Sequence, residues 1–475
     1  MNKKLQSTVF FILILCFFNS CQKLVSISPP VGELVATQVF ASDAQATSAA
    51  AGMYSGMINV NLGFASSGIS VLTGMSADEL VPFNQYSNNP FDQFQENQLT
   101  VTNGLISNIW DESFVTIYQA NAIIQGLQNN VGVHDSVKNE LTGEAEFVRA
   151  FCNFYLVNLY GEVPLVTTIK YQQTSLLPRT PVAQVYQAII IDLKDAQSKM
   201  ASDYSVGGGQ RIIPNKWAAT ALLARVYLYI GDWQDAVIQS SLLINNTGLY
   251  SLVSNLKGVF LTNSREAIWQ LQQSNIVAPW FNITPEAELF IPAYLNTNVS
   301  TPFAYVTTSL LNAFEPGDVR KATWFDSTLY NGTEYYFPFK YQSGPTAIQT
   351  NGPYSEYYMV FRLGEQFLIR AEAEAQLGQG SSAVTDLNII RGRALLPPYS
   401  GSTAEDSLLN AILHERQVEL FVEWGHRWLD LKRSGRALTI LSADKGFSLN
   451  STLLLYPIPS SELVDDPNLI QNPGY

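Results

Sequence analysis

Three carboxylates stand four residues apart within residues 409–433, LNAILHERQVELFVEWGHRWLDLKR: Glu415, Glu419 and Glu423. A glycosidase needs two carboxylates facing each other across a sugar, one of them kept protonated by its surroundings. Carboxylates on successive turns of one helix instead point the same way, and commonly support ion pairs. Here the partners are close in sequence. Stepping about 100° per residue, Leu409, Ile412, Leu413, Leu420 and Trp424 share one apolar stripe with Arg416 and Glu423. A charge on such a stripe needs a partner, because burying it alone is costly. Arg427, Asp430 and Arg433 follow just past Gly425, while Glu372, Arg391 and Arg393 lie upstream. We read Arg416, Glu423, Glu372 and Arg427 as a structural polar network and assign no catalytic residue.

A second chemistry moves no proton. Sugar rings lay their C–H faces on Trp or Tyr, while their hydroxyls bond to Asn, Asp, Gln or Arg at the plate's edge. Trp280 with Asn282 offers that combination, as do Tyr294 with Asn296 and Asn84 with Tyr86; Asp78 stands in the same loop region as the last pair. Trp324 is read as packing under a loop, and Trp110, Trp217, Trp233, Trp424 and Trp428 as core. No zinc spacing, phosphate-binding loop or nucleophile elbow is found, so no metal or cofactor is expected. Cys152 sits in an apolar helical pattern and reads as a small core residue.

The composition fits binding to neutral polar ligands. The chain has 475 residues, 47% hydrophobic and 12% aromatic, but only 14% charged. Its surface must be largely neutral and polar. A net charge of −13 argues against nucleic acid and against docking on anionic lipid. Lys3, Lys4 and the apolar run 9–18 precede Ser20-Cys21. This reads as a lipoprotein signal over 1–20 with Cys21 as lipid anchor, although Phe18 and Asn19 depart from the usual lipobox. Residues 21–40, with Pro29-Pro30, form the tether.

The positioning elements are mostly helices. Ser42-Asp43 caps one running to about Met57, and others span 106–127, 137–160 and 181–200. Residues 59–97 lack helical period and read as a long loop. Residues 217–244 and 362–391 each read as two helices, broken at Gly231-Asp232 and at Gly378-Gln379-Gly380. Ala224 and Ala371 stand seven residues before the glycine, and Ala236 and Ala383 five after it. This resembles a tetratricopeptide hairpin. Residues 267–272 are strand-like. The stretch 273–354, rich in Asn, Thr, Pro, Gly and aromatics, reads as a loop-rich ligand-binding insertion between helical parts at 41–272 and 355–475.

Eight motifs recur in one order: the signal ending at Cys21; SADEL at 76–80; Trp110 with Ala120-Asn121; GEAEFVRAFCNFYLVNLYGEVPL at 143–165; residues 219–233; 361–393 with AEAEAQLG and LNIIRGR; 414–433; and the closing LYPIP and QNPGY. Together they resemble the SusD/RagB-like nutrient-binding lipoproteins of the Bacteroidetes outer membrane. The resemblance implies a mostly α fold: a tetratricopeptide-like scaffold carrying a loop-rich insertion with short strands. It also implies a lipid-anchored protein on the outer face of the outer membrane. Such a protein captures oligosaccharides, or in some members peptides, and delivers them uncleaved to a SusC/RagA-like TonB-dependent transporter. The residues after Cys21, Gln22-Lys23-Leu24, depart from the acidic surface-export signal. A tetratricopeptide-like adaptor that binds only protein, and a surface glycoside hydrolase, are the competing readings.

Overall fold

The computed structural model describes residues 39–58, 62–83, 89–273, 283–292, 302–344 and 354–475, with the backbone of two short strands at 294–295 and 298–299. Helix α1 (Asp43–Ile58) precedes α2 (Ile69–Ser76) and two long helices, α3 (Gly104–Leu127) and α4 (Asp135–Tyr160). Then come α5 (Val182–Lys199), α6 (Lys216–Ile230) and α7 (Trp233–Ile244). The C-terminal part supplies α8 (Leu363–Gln376), α9 (Gly380–Arg393), α10 (Glu405–Leu420), α11 (His426–Arg433) and α12 (Ala437–Lys445). The long helices pack in series: α3 on α4, α4 on α5, α5 on α6, α6 on α7, α7 on α8, and α8 on both α9 and α10.

The local sequence explains the breaks. Asn215 starts α6 by accepting from the backbone of Trp217 and Ala218. Gly231 ends it in the left-handed region, and Asp232 caps α7 through Asp235 N. Ala224, Ala236, Ala371 and Ala383 are all fully buried, which lets the paired helices of α6–α7 and α8–α9 close on each other. The C-terminus is fitted to the frame. Asn472 Nδ2 donates to the carbonyls of Tyr160 and Tyr456 at 2.8 Å, and Arg179 donates to Asn472 Oδ1 at 2.6 Å.

Eight short strands complete the described structure: β1 (Leu80–Pro82), β2 (Ala267–Leu271), β3 (Tyr294–Leu295), β4 (Asn298–Val299), β5 (Ala304–Val306), β6 (Phe325–Tyr330), β7 (Thr333–Pro338) and β8 (Tyr358–Arg362). They pair antiparallel as β1–β5, β2–β8, β3–β4 and β6–β7. Because β2 pairs with β8, from Ala267 opposite Arg362 to Leu271 opposite Tyr358, the insertion leaves and re-enters the frame at one ladder.

Two expectations are corrected. Residues 59–97 are not a plain loop, since residues 64–76 form a turn of π-helix running into α2. Every residue of α2 is buried, so it has no polar face and therefore no readable period. The apolar stripe that continues to Trp424 overruns its helix, because α10 ends at Leu420. Val422, Trp424 and Gly425 all take positive φ. Tertiary bonds hold that strained turn: Val422 N donates to Glu79 Oε2 at 3.2 Å, and Trp424 N to Ser70 Oγ at 2.9 Å.

Candidate functional site

Glu415 and Glu419 of α10, and Glu423 in the turn after it, are closed in on every side. Arg362, at the end of β8, donates from Nε to Glu423 Oε2 at 2.7 Å and from Nη2 to the Glu419 carbonyl at 2.8 Å, and pairs through Nη1 with Glu419 Oε1 at 2.5 Å. Arg393, ending α9, joins Glu419 to Glu266. Arg320 bridges Asp318, Glu415 and Glu419. Lys340, following β7, donates to the Phe421 carbonyl at 2.8 Å and to Glu423 at 2.5 Å. Glu415 and Glu419 are 0% exposed. Burial alone would raise the Glu419 carboxyl, but Arg393, Arg362 and Arg320 hold it well below the ordinary range. Burial likewise opposes ionisation of Glu423, and Arg362 with Lys340 lowers it. Glu419 and Glu423, so strongly ionised, lack the raised pKa of a glycosidase acid; Glu415, which burial raises against the pull of Arg320, is fully enclosed and lacks the access.

The four residues expected in a polar network are placed as follows. Arg416 donates to Asp430 Oδ2 at 2.7 Å, while Glu372 stands 4.0 Å away and is bound by Arg433. Glu423 meets Arg362 and Lys340. Arg427 donates to both oxygens of Asp78, at 2.7 and 2.6 Å. Asp78, expected among the ligand-binding residues, is 1% exposed with both oxygens taken, so it serves the frame.

Two predictions follow from these bonds. Arg416→Ala leaves Asp430 buried with Arg433 as its remaining cation. It should lower stability by about 3 kcal/mol in a chemical denaturation curve. A stable variant that loses only ligand binding would contradict the structural assignment. The second concerns acid. Burial opposes ionisation of Asp430, but Arg416 and Arg433 lower its pKa below the ordinary 3.8. Glu419 and Glu423 are held below the ordinary 4.5. A carboxylate with a depressed folded-state pKa contributes stability above its unfolded value and loses it as pH falls through the folded one. Melting temperature should therefore drop steeply below about pH 4. A profile flat to pH 3 would show that the network contributes little.

A different corner of the frame has open aromatic surface. β1 pairs with β5, and Phe83 N donates to the Phe303 carbonyl at 3.0 Å. Phe303 N in turn donates to the Leu289 carbonyl at 3.3 Å, and Phe91 meets Phe303 edge-on at 4.7 Å. Around Phe83 stand Tyr335 at 5.1 Å, Tyr330 at 5.4 Å and Tyr305 at 6.3 Å, each edge to face. All four rings are half-buried. They form a shelf whose exposed parts offer flat carbon and, from the tyrosines, hydroxyls.

Trp280, Asn282, Asn296, Asn84 and Tyr86 lie outside the described residues, as does Cys21. Tyr294 is described only as backbone, in β3. Of the described residues near these segments, Phe83, Phe91, Phe303 and the short helix Pro285–Phe290 meet at the shelf corner, whereas Gln273, which precedes residue 274, lies at the end of β2 beside α1 and α4. Sequence reasoning did not single out Phe83, Tyr305, Tyr330 and Tyr335. A signal for two of them was present. Asn331-Gly332, both at positive φ, is the preferred two-residue hairpin turn, and it pairs β6 with β7.

Comparison with known proteins agrees along most of the chain. A model described as the SusD family matches residues 322–475, and one described as "Starch-binding associating with outer membrane" matches residues 44–228. SusD-like protein P2 of Formosa agariphila is 27% identical over 427 residues, covering 78% of this chain and 81% of that protein. A SusD superfamily crystal structure from Bacteroides vulgatus superposes with a TM-score of 0.78 at 23% identity, over 91% of this chain and 99% of that one. A laminarin binding SusD-like protein superposes with a TM-score of 0.76 at 25% identity, over 91% and 100%. With SusD-family models matching in both halves and a SusD-like relative aligned over 78% of its length, the chain belongs to the SusD/RagB family.

Proposed function

We propose that the protein captures oligosaccharides on the aromatic shelf and the segments that adjoin it. Lipid on Cys21 holds it at the outer membrane, facing outward, and it passes the glycan uncleaved to a SusC/RagA-like TonB-dependent transporter. The observation that carries the binding step is the cluster of Phe83, Tyr305, Tyr330 and Tyr335, in which Phe83 directly precedes residues 84–88. Family membership supports it, as do the starch-binding description of one matched model and the laminarin binding of one similar structure. Half-buried rings on a fixed ladder suit a sugar, because their positions are set before the ligand arrives. Within this reading Trp280, Asn282, Tyr294, Asn296, Asn84 and Tyr86 supply further stacking and hydrogen bonds.

Calorimetric titration with starch- and laminarin-derived oligosaccharides tests capture, and incubation of those glycans with the protein tests the absence of cleavage. Saturable binding without shortened products is the expected result; product release would favour an enzyme. The anchor has its own test. Cys21→Ala should leave the protein in the soluble fraction, and membrane recovery equal to the unaltered protein would contradict lipidation.

A further inference from the structure

Away from the shelf, a cleft lies where α1 packs against α4, bounded also by Val206, Ile212 and Ile213 and by the end of β2. It encloses about 260 Å3. Small residues of α1 open it: Ala50 and Ala51 line one side, facing Leu141, Ile213 and Leu271. No lining residue is cationic. Thr47, Ser55, Gln272 and Gln273 add neutral polar groups to the lining, and Glu144 is its one carboxyl among the described residues. Glu144 is 1% exposed and accepts a hydrogen bond from Tyr54 Oη on its Oε2 at 2.6 Å. Its Oε1 is buried and has no hydrogen-bond partner among the described residues. Burial, aided by Glu140, pushes this carboxyl up to about 8 against the pull of the Tyr54 bond, so at neutral pH it is mostly protonated. With Oε2 accepting from Tyr54, the proton belongs on Oε1. That leaves an O–H donor in the wall with nothing to donate to. Apolar spaces of this kind stay dry and take apolar guests, whereas an unmade buried hydrogen bond calls for an acceptor.

We propose that this cleft is a second binding site, for a small uncharged molecule with an apolar body and one acceptor oxygen. Its body packs between Ala51, Leu141, Ile213 and Leu271, and its oxygen accepts from Glu144. An anion would lose its hydration there without meeting a cation among the described lining residues. The site is built from elements other than the shelf, so it stands or falls separately from glycan capture.

The test uses three probes of similar size with the full chain: acetophenone, which has the acceptor; ethylbenzene, which lacks it; and benzoate, which is charged. Ligand-observed NMR titration should show acetophenone binding saturably, about fivefold tighter than ethylbenzene, the effect of one net hydrogen bond, and tighter than benzoate. Ala51→Trp, at an exposed position on the rim, should abolish binding. Glu144→Gln keeps a neutral donor and should keep the preference for acetophenone, whereas Glu144→Leu should erase it. Absence of saturable binding, equal affinity for acetophenone and ethylbenzene, or acetophenone binding unchanged in a folded Ala51→Trp protein would each overturn the proposal.

Discussion

Replacing Arg362 with alanine should destabilise the protein by about 3–5 kcal/mol, the range for breaking a buried ion pair from one side. Arg362 is 1% exposed and engages Glu419 and Glu423 at once. Its loss removes four close bonds and leaves a partly uncompensated negative cluster in the interior. The damage should spread beyond α10. Arg362 closes the β2–β8 ladder through which the insertion joins the frame, while Lys340 ties the chain after β7 to the same Glu423. We therefore expect a lower denaturation midpoint together with a weaker ligand site. Arg362→Lys should recover little, since a single ammonium cannot reproduce a guanidinium fork reaching two carboxylates. A variant within about 0.5 kcal/mol of the unaltered protein would show that the remaining cations, Arg393, Arg320 and Lys340, suffice.

The second large effect falls on affinity. Tyr335→Ala should weaken oligosaccharide binding about ten- to hundredfold, the usual loss when an aromatic anchor is removed. The Tyr335 ring touches both Phe83 and Tyr305, so its removal takes out the centre of the shelf. Stability should change little by comparison, because the ring is half-buried and is not among the core side chains that Phe325 and Phe337 contribute from the same hairpin. Trp280→Ala should act in the same direction. If Trp280→Ala lowers affinity while Tyr335→Ala does not, the ligand is held by the segment after β2 and the shelf only supports it. Unfolding of Tyr335→Ala would move this ring to the frame.

The helical frame was largely written in local chemistry. Asn215, Gly231 and Asp232 dictate where α6 stops and α7 starts, and the buried alanines dictate how closely they pair. What escaped the sequence was long-range. α2 carries no polar face, so its burial on all sides erased the period that reveals a helix. The turn after Leu420 is imposed by Ser70 and Glu79, more than three hundred residues upstream, and no local rule stops an apolar stripe there. The need for partners around Arg416 and Glu423 was legible, but their assignment was not. Several guanidiniums lie within reach of each carboxylate, and only the placement of α11 beside α8 gives Glu372 to Arg433, and of β8 beside the turn after α10 gives Glu423 to Arg362. Asp78 looked like a ligand group because it stands in the same loop region as Asn84 and Tyr86, yet Arg427 claims both its oxygens. The shelf combines rings from β1, β5 and a hairpin, so spacing alone could not assemble it.

The measurement that bears most directly on this account is calorimetric titration of the purified chain with the starch- and laminarin-derived oligosaccharides, run beside Tyr335→Ala and a folded-state check. The account predicts saturable binding of at least one glycan, weakened about tenfold or more by the substitution at unchanged fold. Saturable binding of none of them, or equal affinity in a folded Tyr335→Ala protein, would contradict the placement of glycan capture on the shelf.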